Sequence, residues 1–283
     1  MVRRFSREEI LERLHKTISE GKPIIGAGCS AGIIAKCAEL AGADLIIVYS
    51  TGLSRLMGLP TVIFGDSNAL TVKMARPILN IVKNTPVIAG VDLADPTRDM
   101  ERFLKKLMRM GFSGIINFPT FALYERDEYY RRSRDDVGIG FNLELKNFRL
   151  AHEMGFFTMA YVRLIEDTIE MVKAGADVIV AHAGRTMGGL AGGKRGFGNI
   201  RTLEQAAEHV QRIAKAAKSI KPDIIVLAHG GPIATPEDTQ YIYDHTDAVG
   251  FVGASSIERI PIEKAVIETV RKFKEKRIRG KPK

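Results

Sequence analysis

The sequence predicts a (β/α)8 barrel, the TIM-barrel architecture, preceded by an extra N-terminal helix. Three observations predict it. Eight short apolar runs recur along the 283 residues. Each is followed by glycine-containing polar chain and then a helical pattern. The runs are continuously apolar rather than alternating, as parallel strands buried on both faces are. A doubly wound open sheet is the alternative, because a sequence does not by itself close a barrel.

The runs are PIIGAG (23–28), DLIIVYS (44–50), TPVIAGVD (85–92), SGIINF (113–118), FFTMAYV (156–162), ADVIVAH (176–182), DIIVLAH (223–229) and VGFVGA (249–254). Ser6 and Glu9 cap the extra helix ahead of the first run. Asp95-Pro96 reads as N-cap and first helical residue. Thr202 and Gln205 read as a capping box. Thr235-Pro236-Glu237-Asp238 supplies a cap, a proline at the first position and acids in the first turn. The connections after the second, fourth and sixth strands are long, at 50–68, 118–140 and 183–201. Residues 1–270 are expected to form the single barrel domain.

Composition narrows the function classes. The hydrophobic content of 45% suits a packed core. No apolar window is long enough for a membrane span. The N-terminal MVRRFSREEI lacks the apolar centre of a signal peptide. Cys29 and Cys37 have neither a zinc spacing nor a disulfide pattern, so a cytoplasmic protein is expected. Residues 271–283 form a basic tail with eight Lys/Arg against one Glu, which leaves +2 of the net +9 for everything before it. That is the pattern of a solvated tail, with no nucleic-acid motif beside it.

In a barrel, chemistry sits on the loops after the strands. The sixth and seventh strands end alike, in VIVAHAG and IVLAHGG. If their registers match, His182 and His229 stand side by side at the mouth, able to move protons or ligate a metal. Glycines 230 and 231 and the segment Gly253-Ala254-Ser255-Ser256 can present amides to an anion. Thr51-Gly52-Leu53 can do the same after the second strand. Asp66 reads equally as a helix cap and as a chemical group. Asp92 ends the third strand. Asn117 and Tyr161 are mouth-facing candidates at the ends of the fourth and fifth. Cys29 is read as structural. The loop 184–199 holds seven glycines with Lys194 and Arg195, and reads as a lid over an anionic substrate or as a plain surface loop.

The run from PIIGAG through LIIVYSTG, GDSNA, TPVIAGVDLADPTRDMERFL, GADVIVAHAG, AHGGPIATPED and GASSIER resembles the phosphoenolpyruvate hydrolase-like family. The resemblance covers residues 5–275, and AHGGPIATPED and GASSIER are its most specific pieces. The same domain occurs in plant tobamovirus-resistance proteins. The resemblance implies a barrel that forms homo-oligomers. More distantly, STGLS and GDSNA are similar to the substrate turn and the catalytic-aspartate turn of the phosphoenolpyruvate mutase/isocitrate lyase superfamily. That similarity implies substrate binding by Thr51, Gly52 and Leu53 and a catalytic role for Asp66. The superfamily's Asp-x-Asp is Gly90 and Asp92 here, and Asn117-Phe118-Pro119 replaces its acid after the fourth strand. Asp92 is the one metal-ligand candidate. No cofactor is required by the sequence, and Mg2+ stays open.

Two functions fit the sequence. The first is an enzyme acting on a small phosphorylated or carboxylated acid, by hydrolysis or by C–C or P–C cleavage. The second is a ligand-binding or regulatory barrel that acts through protein partners. Histidines bonded to backbone under a plugged mouth would favour the second.

Overall fold

All eight apolar runs become strands of one closed parallel barrel in a computed structural model that describes residues 3–194, 196 and 200–279. The strands are β1 (Ile24–Gly28), β2 (Leu45–Val48), β3 (Val87–Val91), β4 (Gly114–Asn117), β5 (Phe157–Val162), β6 (Val178–His182), β7 (Ile225–His229) and β8 (Gly250–Gly253). They neighbour one another in chain order, and β8 closes on β1.

The helices are α1 (Arg7–Ser19), α2 (Gly32–Leu40), α3 (Gly52–Leu56), α4 (Ser67–Ile81), α5 (Met100–Met110), α6 (Tyr129–Asp135), α7 (Phe141–Glu153), α8 (Ile165–Lys173), α9 (Leu203–Ile220), α10 (Pro236–His245) and α11 (Ile260–Lys274). Ser6 caps α1 by accepting the Glu9 amide. The capping boxes at Thr202 and Thr235 are both formed. The expected cap at Asp95 is corrected. Helix α5 begins at Met100, capped by Asp99. The Asp95 carboxylate instead accepts from the Thr97 amide and hydroxyl and from Asn68, closing a local turn that competes with helix initiation. The basic stretch also begins inside α11, which runs to Lys274, rather than after the last helix.

Two apolar clusters divide the molecule. One lies between the sheet and the helices. The other fills the barrel, with Leu45, Ile47 and Tyr49 from one strand facing Val178, Val180, Ile225 and Leu227 from others. Phe5, Ile10 and Leu14 belong to this interior cluster, so α1 plugs the bottom of the barrel. The Phe5 amide donates to Ser113 Oγ, and Arg7 pairs with Asp177. Both partners lie just before strand starts. With the bottom closed, the mouth at the strand C-termini is left to the loops. Among the described residues no helix is long and apolar enough to cross a membrane.

Candidate active site at the barrel mouth

His182 and His229 are register partners on β6 and β7. Equal strand lengths and identical Ala-His endings place them at the same height. Their ring centroids are 4.4 Å apart at an interplanar angle of 62°. They are 5% and 7% exposed. The His229 Nδ1–H donates to the Val252 carbonyl at 2.6 Å, so its basic nitrogen is Nε2. His182 Nδ1 accepts from the Gly184 amide at 3.0 Å, so its neutral ring carries the proton on Nε2. The pair therefore holds opposite tautomers. Burial holds His229 down at about 4 and His182 well below its usual value, so both are neutral at pH 7.

Tyr161 is the third member, with its ring 5.0 Å from each imidazole. Its hydroxyl lies 2.7 Å from the Tyr49 hydroxyl and 3.4 Å from His229 Nδ1. Phe118 packs edge-on against both tyrosines. Burial raises both phenols, so they act as neutral hydrogen-bonding groups. Tyr49 and Phe118 were not singled out from sequence. Their inward parity with Ile47 and Ile116 was the available signal.

Asp92 directly follows β3, which in an eight-membered ring lies diametrically opposite β7. Asn68 fixes its backbone through both amide groups. Burial, reinforced by Asp95, pushes the Asp92 carboxyl up to about 6. Asp66 stands apart. It caps α4 through the Ala69 amide and pairs with Arg98, which also binds Asp95.

Asn117 is turned away from the mouth, which corrects its expected orientation. Ile116 and Phe118 take the inward parity, and Asn117 binds Glu144 of α7, Thr120 and the Tyr161 backbone. Burial pushes Glu144 up to about 7 within that network. The network ties β4 to β5 behind the sheet.

The glycine turns have a steric basis. Gly230 and Gly231 have φ of +75° and +59°, and a Cβ on Gly230 would lie 2.0 Å from the Gly184 carbonyl. The loop after β6 lies directly on that turn, with the Gly231 amide donating to Gly184. The Gly52 and Leu53 amides donate to Tyr49 and Ser50 within their own turn, and Ala254 O accepts from Ile257 and Glu258. Thr51 Oγ1 accepts from Arg55. A Cβ on Gly253 would lie 2.7 Å from Ser256 Oγ, and Ser255 Oγ meets Thr61 Oγ1 at 3.4 Å. Cys29 is buried with its thiol pushed up by burial, in keeping with a structural role. Of the loop read as a lid, Arg195 and residues 197–199 lie outside the described residues.

The mouth does not fit a resident Mg2+. A Cβ at Gly90 would lie 3.0 Å from both the Tyr49 ring and the Val48 carbonyl, so Tyr49 occupies the space where a first Asp-x-Asp side chain would begin. Phe118 stands after β4 in place of an acid. Among the described residues no group of three or more His, Cys, Asp or Glu could hold a metal. A hard dication needs several oxygen ligands, and Asp92 supplies one carboxylate.

Fold and mouth together define a class, a parallel (β/α)8 barrel closed below by a helix and carrying a buried histidine pair above. The chain belongs to the phosphoenolpyruvate hydrolase-like family, whose model matches residues 9–276. It is 44% identical over 273 residues to the ToMV resistance protein Tm-1(GCR237) of Solanum lycopersicum, covering 95% of this chain and 35% of the tomato protein. The chain thus spans about a third of the length of such curated relatives. Oxaloacetate acetylhydrolase bound to 3,3-difluorooxalacetate superposes with a TM-score of 0.61 at 16% identity, over 96% of this chain and 89% of that one. A phosphonopyruvate hydrolase complex with oxalate and Mg2+ superposes with a TM-score of 0.58 at 19% identity, over 93% and 84%. At these identities the likeness establishes the fold.

Proposed function

We propose that this barrel is an enzyme acting on a small phosphorylated or carboxylated acid at its mouth, by hydrolysis or by C–C or P–C cleavage. The observation that carries the proposal is the histidine pair in opposite tautomers. One ring offers a basic Nε2 and its neighbour an Nε2–H donor. His229 can take a proton from water or substrate while His182 donates to an oxygen on which negative charge grows. Asp92, poised near pH 6 across the mouth, is a second proton-transfer group. The structural neighbours named above act on, or are bound to, small acids, which supports this substrate class. Asp66 enters as the cap that fixes α4 and the Asn68 clamp rather than as a proton carrier.

The test is incubation with phosphoenolpyruvate, phosphonopyruvate and oxaloacetate, with and without Mg2+, following pyruvate, phosphate, acetate and oxalate. Turnover of one acid that disappears in the His182→Ala/His229→Ala double variant is expected. No turnover above that variant sinks the enzymatic reading.

One observation favours the second reading, a regulatory barrel acting through protein partners. Both imidazoles are nearly sealed, and each bonds to backbone. Binding of a small acid without turnover is the outcome expected there.

The protein is also proposed to self-associate. On α11, Ile262, Val266, Val270 and Phe273 form one stripe and are 44–73% exposed. Only Ile260 of that helix is buried. A second copy of the chain, covering this stripe, is the proposed occupant.

A further inference from the structure

Glu144 is a fully buried carboxyl on α7, and each group bonded to it points a hydrogen at it. Its Oε1 accepts from Asn117 Nδ2 at 2.8 Å and from the Thr120 hydroxyl. Its Oε2 accepts from the Phe121 amide at 2.8 Å. The charges around it lie on the elements packed against α7. Asp92, beyond β3, acts on it through space. Arg131 of α6 stands over the Phe141 ring at the start of α7, but it is paired with Asp167 of α8. Asp135 accepts the Phe141 amide, Arg134 lies over the Tyr130 ring, and Glu170 pairs with Arg126. The charged side chains of α5 are exposed, and β4 and β5 carry none.

Asn117 links this carboxylate to the mouth. The β4–β5 register ends at Ile116 and Met159. Beyond it the Phe118 amide turns to Val91 of β3, and the Asn117 side chain takes over the pairing with β5. Its Oδ1 accepts from the Tyr161 amide at 2.6 Å, and its Nδ2 donates to the Tyr161 carbonyl at 3.2 Å. A side-chain amide thus replaces a peptide unit of the ladder. Its orientation is not free. A carboxylate only accepts, so Asn117 must turn Nδ2 toward Glu144, which leaves Oδ1 for the Tyr161 amide. Tyr161 is the residue whose hydroxyl meets Tyr49 and whose ring lies 5.0 Å from each imidazole.

We propose that Glu144 is a positioning residue of the mouth: through Asn117 its carboxylate sets the main chain of Tyr161, and with it the phenol between Tyr49 and the histidine pair. The proposal rests on the reading of that mouth as a reaction site only where turnover is measured. It makes the mouth responsive to a proton taken up behind the sheet. A protonated Glu144 places an O–H among three donors, so Asn117 or Thr120 has to turn. Turning Asn117 sets its Nδ2 against the Tyr161 amide, donor to donor. Burial pushes the Glu144 carboxyl up to about 7, so the change falls near neutral pH.

Carbon-13 NMR of the full chain labelled at tyrosine Cζ tests this, with the Tyr161 signal identified by its loss in Tyr161→Phe. The signal is expected to shift with a midpoint near pH 7 and to stay constant between about pH 6 and pH 8 in Glu144→Gln. Asp92→Asn removes a negative charge that raises Glu144, so its midpoint should lie below the wild-type one. That variant touches none of the bonds of Glu144 and carries the test if Glu144→Gln does not fold. A Tyr161 signal indifferent to pH overturns the proposal. So does a shift that survives Glu144→Gln and vanishes in Asp92→Asn. Where an acid is turned over, Glu144→Gln should lower kcat about tenfold, leave KM within about twofold and remove the pH dependence near neutrality. An absence of turnover removes the enzymatic reading and leaves the Tyr161 titration standing. Turnover with a Tyr161 signal that ignores pH does the reverse.

Discussion

His182 and His229 stand as partners in the β6–β7 ladder, ring against ring at 4.4 Å, and each Nδ1 is committed to a backbone group of opposite polarity. The pair is thus preset by backbone groups as one donor and one acceptor. That arrangement requires both rings to stay neutral, and burial is what keeps them so.

Neutral burial has a consequence for stability against pH. His182, His209 and His229 are all held below the histidine value of the unfolded chain, about 6.5. Below that value the unfolded state binds more protons. Their contribution is therefore complete above about pH 6.5 and is lost as pH falls toward about 4. Asp92 and Glu144 act in the opposite sense. Their folded values, about 6 and about 7, lie above the unfolded ones, so the stability they contribute is present at low pH and lost as pH rises through that range. His152 is lowered by burial as well, so four histidines stand against two carboxyls, and stability should rise from pH 5 and level off near pH 7. Urea midpoints across that range check this. His229→Gln should flatten the slope, removing on the order of 3 kcal/mol of the pH 4–7 change. An unchanged slope would show that His229 is not held neutral.

Gly230 is expected to be irreplaceable. Alanine there faces both a positive φ and a Cβ 2.0 Å from the Gly184 carbonyl. The β6 loop must lift off the turn, breaking the Gly231-to-Gly184 bond. Gly230→Ala should cost about 3 kcal/mol or more by chemical denaturation. Gly21→Ala also has a positive φ but open space, and should cost about 1 kcal/mol. Similar losses at the two positions would refute the close approach.

The aromatic filling of the mouth leaves little room for a carboxylate at Gly90. Gly90 cannot carry a side chain without displacing Tyr49, whose hydroxyl anchors Tyr161. Gly90→Asp should therefore destabilise the protein by about 2–4 kcal/mol, combining overpacking with a buried carboxylate. Millimolar Mg2+ should not restore the Tm. Full rescue by Mg2+ would mean that Tyr49 yields and that a second ligand suffices.

Much of this was legible in the chain. The eight strands showed because parallel strands buried on both faces read as unbroken apolar runs. The histidine pair showed because two strands end in the same Ala-His. That same unbroken character hid which way each residue faces. Asn117 looked like a mouth residue because Gly-Ile-Ile-Asn carries no alternation to give its parity. The Arg55–Glu258 pair joins residues 203 positions apart, and no local pattern reports it. Asp95 was lost to a competing side-chain turn that uses the same residue types as a helix cap.

The stripe on α11 bears on assembly. Ile262, Val266 and Val270 repeat every four residues, and Phe273 extends the same face. The face is exposed over nearly three turns, although Pro261 at the start of the helix and the basic residues of its last turn favour a stable helix. Four large apolar side chains that are 44–73% exposed forgo about half of the roughly 1.5–3 kcal/mol each that full burial provides, which favours covering them with a second copy. Light scattering on the purified protein should report more than one chain. In Val266→Asp/Val270→Asp the mass should fall toward the monomer while far-ultraviolet circular dichroism stays that of the barrel, because both valines are more than half exposed. An unchanged mass in that variant would place the interface elsewhere. A monomeric wild type would leave the stripe without a second copy to cover it.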